Sequence, residues 1–71
     1  MQSKYLIEVF WSEEDQGYIA VAPDLPGCGA FGDTPAAAMR EMQDAMESWL
    51  QGCEAMGRPI PEPRAMPRQA A

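Results

Sequence analysis

The sequence predicts an α+β domain: a three-stranded antiparallel sheet with one long helix packed on one face, ordered β-β-β-α, with a possible short fourth edge strand. Three observations carry this reading. Two runs rich in aromatic and β-branched residues, 4–11 and 18–22, flank a polar turn ending in glycine, the pattern of a hairpin. A stretch punctuated by proline and glycine, residues 21–35, follows and has room for one brief strand. Beyond Pro35, apolar residues recur at helical spacing for about 22 residues. With 71 residues, the chain makes one small domain.

The first strand, Lys4–Trp11, places Tyr5, Ile7, Val9 and Trp11 on one face and Leu6, Glu8 and Phe10 on the other. Ser12–Gly17 is the polar turn, with Gly17 expected in the left-handed region that closes a hairpin. Tyr18–Ala22 returns, again apolar on both faces. Pro23 and Pro26 each fix φ near −65° and push the preceding residue toward extended geometry. Gly27 then supplies a conformation that a Cβ would resist. Pro23–Gly27 is therefore a shaped corner, after which Gly29–Phe31 forms the middle of the third strand. Thr34 is a good N-cap, and Pro35 suits the first helical position, where its missing N–H loses no bond.

The helix runs from Pro35 to about Met56, a length of ~33 Å. Ala38, Met42, Ala45, Trp49, Cys53 and Met56 line one stripe, widened by Met39, Met46 and Leu50. A methionine-rich stripe can be a binding surface, but core is the simpler reading. Gly57 is the natural helix stop. Pro59, Pro61 and Pro63 all occupy odd positions, so an extended tail loses donors along one edge only, as an edge strand or strap would. The folded domain is expected to span residues 1–64, with residues 65–71 a flexible tail.

Pro23-Asp24-Leu25-Pro26-Gly27-Cys28, followed by Gly32-Asp33-Thr34, an alanine-rich helix and Gly57-Arg58-Pro59-Ile60-Pro61-Glu62-Pro63, resembles the HicB-like family of toxin–antitoxin antitoxins. The resemblance covers roughly residues 4–63 and implies a partial ribonuclease H-like fold. It also implies a partner: a small basic HicA-type toxin that cleaves messenger RNA, which the antitoxin binds and blocks. Relatives often carry a C-terminal DNA-binding domain, and none is expected within these 71 residues. The rival reading is a stand-alone oligomeric binding module with no toxin.

Charge agrees with a protein partner. Residues 1–57 hold two basic against ten acidic side chains, a net of −8, whereas residues 58–71 hold three arginines against Glu62. An acidic body repels phosphate, so no direct nucleic-acid binding is expected. With no histidine, schemes that pair a nucleophile with a histidine base are excluded. Glu13, Glu14 and Asp15 could hold a hard cation, yet they read more simply as a solvated turn. Asp24 is expected to make an Asx-turn at the corner, and Asp33 to sit favourably beside the helix N-terminus. No cofactor, metal or enzymatic activity is expected. Cys28 and Cys53 are read as reduced thiols of a cytoplasmic protein, with no membrane span.

One helix covers only one face of a sheet. The expected contact surface for a partner or a second copy is therefore Leu6 and Phe10, or Trp11 with Tyr5 and Ile7 if the helix takes the opposite face, together with Trp49, Leu50, Cys53 and Met56 on a helix end that overhangs the strands. A chain of this size buries only about 60% of its unfolded surface, so a homodimer or higher oligomer is expected to cover the remainder.

Overall fold

The hairpin forms where aromatic and β-branched side chains meet directly across two strands. The computed structural model describes residues 4–66. Within them, β1 is Glu8–Ser12, β2 is Gly17–Val21, β3 is Gly29–Gly32, and the helix α1 is Pro35–Ala55. The strands form one antiparallel sheet in the order β1-β2-β3. Ile19 pairs with Phe10 on one side and Phe31 on the other, while Tyr18 pairs with Trp11 and Gly32. Paired residues share a face, and faces alternate along each strand. Val9, Trp11, Tyr18, Ala20, Ala30 and Gly32 therefore lie on one face; Glu8, Phe10, Ile19, Val21 and Phe31 lie on the other.

The helix takes the first face because Ala20, Ala30 and Gly32 keep that face low along β2 and β3. Ala20 and Ala38 are fully buried against each other's elements. At Gly32 the approach is closer still: a Cβ there would lie 2.3 Å from the backbone nitrogen of Ala38. The core is Ala20, Ala22, Leu25, Cys28, Ala38, Met42 and Met46, with Tyr5, Ile7, Tyr18, Trp49 and Leu50 packed around it. Met42 and Met46 thus serve as adaptable core, not as binding surface.

Both helix ends are built as the residues dictate. The Thr34 Oγ1 accepts from the Ala37 N–H at 3.0 Å, with Pro35 next in the chain. At the other end Gly57 sits at φ +70°, the Arg58 N–H donates to Cys53 O at 2.9 Å and the Gly57 N–H donates to Glu54 O at 3.1 Å. These two bonds are the Schellman pair that closes orphan carbonyls.

Three expectations need correction. β1 begins at Glu8, not Lys4, because its partner β2 ends opposite Glu8 at Val21 and the corner then turns away. Residues 4–7 leave the sheet and lie beside the helix, so Leu6 does not share a sheet face with Phe10. The left-handed residue of the hairpin is Gln16, at φ 53°, while Gly17 is the buried first residue of β2. Gly17 is small for a different reason: a Cβ would lie 2.3 Å from the Phe31 ring.

Finally, among the described residues the tail forms no fourth strand. It runs as a strap instead. The Tyr5 hydroxyl donates to Pro61 O, and the N–H groups of Arg64 and Ala65 donate to the Asp24 carboxylate at 3.0 and 2.9 Å. Ala65 is therefore bonded just past the boundary expected at residue 64, and most of the expected flexible tail, residues 67–71, lies outside the described residues.

Candidate functional site

The corner is the hub around which the surfaces are arranged. Its backbone closes on itself, with the Leu25 N–H donating to Ala22 O at 2.9 Å and the Cys28 N–H to Leu25 O at 3.0 Å. Gly27 takes φ +82°, which a side chain would resist. Pro23 and Pro26 are exposed, and between them Leu25 drops into the core with no accessible surface. Asp24 does not turn back on the corner as an Asx-turn would; its carboxylate holds the strap, 40 residues away. Asp33 is exposed just before the helix cap. Burial pushes the Cys28 thiol above its ordinary value near 9, because the thiolate would lose hydration. Such a thiol is a core residue and not a nucleophile at neutral pH.

The expected contact residues do not converge on one patch. Trp49 is half-buried, and its Nε1–H donates to Pro26 O at 3.1 Å. Cys53 is buried, and only Met56 at that end of α1 is widely exposed, at 66%. The corner folds beneath the helix end that was expected to overhang, so most of that end already has a neighbour within the chain. Leu6 and Leu50 instead line a groove of about 730 Å³ between residues 4–7 and α1, floored by Met39 and Met46 and walled by Pro63. Trp11 lies on the helix side of β1 beyond the helix's reach. Its ring meets Tyr18 edge-on at 5.2 Å, and its Nε1–H donates to Glu13 at 2.6 Å.

Phe10 alone among them stands on the open sheet face, 48% exposed. There it heads a cross-strand row, Phe10–Ile19–Phe31, with Phe31 44% exposed and Val21 beside it. Alternation along the second strand puts Ile19 and Val21 on one side, but it does not show that Phe31 joins them. The available signal was residue size: Ile19, Val21 and Phe31 fall on odd positions, whereas Ala20, Ala30 and Gly32 fall on even ones, where Tyr18 is the one large side chain of β2 and β3.

The acidic turn is a folded unit. Ser12 Oγ donates to Asp15 at 2.9 Å and Gln16 donates to Glu13 O at 2.6 Å. Among the described residues no group of three or more His, Cys, Asp or Glu side chains is placed to hold a metal ion. No helix among them is long and apolar enough to cross a membrane.

Comparison with known families decides the class. A family model described as the HicB-like antitoxin of bacterial toxin–antitoxin systems matches residues 5–71. The chain belongs to the HicB-like antitoxin family. No curated protein matches it. The match takes in every strand and the helix described above. The kind of partner that this family implies is a toxin.

Proposed function

We propose that this HicB-like protein is a non-catalytic antitoxin that binds a small basic HicA-type toxin in the cytoplasm and blocks its cleavage of messenger RNA. One observation carries the reading beyond family membership. The folded body is strongly acidic, with a net of −8 over residues 1–57, and its sheet leaves a large apolar face uncovered. An RNA-cleaving toxin must present cations to phosphate, and an acidic partner of matching shape competes for those cations and speeds encounter. Binding without turnover is consistent with a chain that lacks histidine and keeps its Cys28 thiol buried and protonated.

The test is an inhibition assay. The toxin, sought as a small basic chain in an adjoining reading frame, is purified and its cleavage of a defined messenger RNA is followed while this protein is titrated in. Stoichiometric loss of cleavage is expected. Undiminished cleavage at saturating antitoxin refutes the proposal and favours the orphan module.

A further inference from the structure

The open sheet face has two plausible occupants, a second copy of this chain or a different protein, and charge separates them. Residues 8–34 contain all three strands and both of their connections. They hold six acidic residues and no lysine, arginine or histidine. Glu8 stands on the open face itself, paired across the strands with Val21, and has no ion-pair partner among the described residues. The acidic turn lies at the opposite end of the same two strands, after Ser12.

Area makes those charges decisive. Three strands at ~4.8 Å spacing and about five residues at ~3.3 Å each give a face on the order of 250 Å². A stable protein interface buries roughly 800 Å² on each partner. Whatever covers Phe10, Ile19 and Phe31 must therefore also cover the acidic ground around them. A second copy would set its own uncompensated carboxylates against these, since a two-fold contact apposes the same patch on both chains. A partner that surrounds an apolar contact with lysine and arginine meets opposite charge over the same ground.

We propose that the open face of the sheet is a docking site for a cationic protein, in which the Phe10–Ile19–Phe31 row seats the partner's apolar side chains and Glu8 with the acidic turn pairs with its surrounding basic residues. The proposal rests on the antitoxin reading, which identifies that partner as the toxin, and it adds the surface used. It also assigns the face away from self-association.

The experiment titrates the full chain against the small basic toxin sought in an adjoining reading frame, in a variant that no longer cleaves RNA, and measures Kd by calorimetry at two salt concentrations. Phe10→Ser removes an exposed ring and should weaken binding about tenfold or more, as loss of a central aromatic anchor does. Glu8 is exposed, so Glu8→Lys should keep the fold; it should weaken binding severalfold and flatten the salt dependence. Sedimentation equilibrium of the free protein at micromolar concentration should give the 7.8 kDa monomer. Two results overturn the docking site alone: wild-type affinity in both variants, or a free dimer that Phe10→Ser disperses. If the unaltered protein fails to bind the toxin at all, the antitoxin reading falls, and this inference with it.

Discussion

Replacing Gly32 with alanine adds one methyl group at the point where the helix rests on the sheet. The added carbon would lie 2.3 Å from the Ala38 nitrogen, 2.7 Å from the Ala37 carbonyl carbon and 2.8 Å from the Ala38 Cα. All three atoms are backbone, so no side chain can swing aside; the helix start must lift from β3. That movement loosens the packing of Ala38 and Met42, both with no accessible surface. Overpacking of this kind costs about 1–3 kcal/mol. The domain's whole stability is on the order of 4–11 kcal/mol at the usual per-residue value. In a domain of this size each kcal/mol moves Tm by ~4–8 °C. Gly52→Ala is the matched control, because nothing lies within 4 Å of the added carbon and alanine is preferred inside a helix by about 0.5–1 kcal/mol. The same chemical change should therefore lower Tm at position 32 and raise it at position 52. Thermal melting followed by circular dichroism reads both. A Gly32→Ala protein that melts at or above the wild-type temperature would refute the close helix–sheet seating.

Three other outcomes are expected. Thr34→Ala removes the side-chain acceptor for the Ala37 N–H and should destabilise by about 1 kcal/mol, measured by urea titration. Asp24→Ala leaves the Arg64 and Ala65 amides without their acceptor, so their hydrogen-exchange protection should vanish while that of β2 persists; unchanged protection would show that the strap is held elsewhere. The raised Cys28 value makes stability fall with alkali: above the unfolded thiol's value near 9 the unfolded chain gives up this proton and the folded chain keeps it. The stability difference between wild type and Cys28→Ala should accordingly shrink as pH rises past about 9, and parallel curves would remove the thiol from the account.

Local chemistry was the legible part of this chain. Thr34, Pro35, Gly27 and Gly57 each act within a few residues of themselves, so their roles can be read without knowing what packs where. The start of β1 was not legible in this way. Residues 4–7 have a strand's composition, but a strand needs a partner, and the corner at Ala22–Cys28 takes that partner away. Asp24 shows the same limit more sharply, since its acceptor role depends on amides 40 and 41 residues distant. The face chosen by the helix was hidden because both faces of β2 are apolar; it is settled by size, with Ala20, Ala30 and Gly32 admitting a helix that Ile19 and Phe31 would hold off. Of the expected contact residues, Trp49 is half-buried and Cys53 buried, which the sequence did not show because the corner's final position beneath the helix is a tertiary fact.

The strap bears on how the molecule assembles in time. Its bond from Tyr5 to Pro61 joins positions 56 residues apart, so it closes a circuit around nearly the whole chain. Contacts of such separation form late, after the local hairpin and helix have brought their ends near each other. Ordering a free segment costs about 1–2 kcal/mol per residue in backbone entropy, more than a few hydrogen bonds return. Pro59, Pro61 and Pro63 lower that loss, since their φ angles are already restricted in the unfolded chain. The last segment to dock is thus the one whose disorder was reduced beforehand. It should also open first and reclose often, a breathing motion at the chain's end that leaves the hairpin and helix intact.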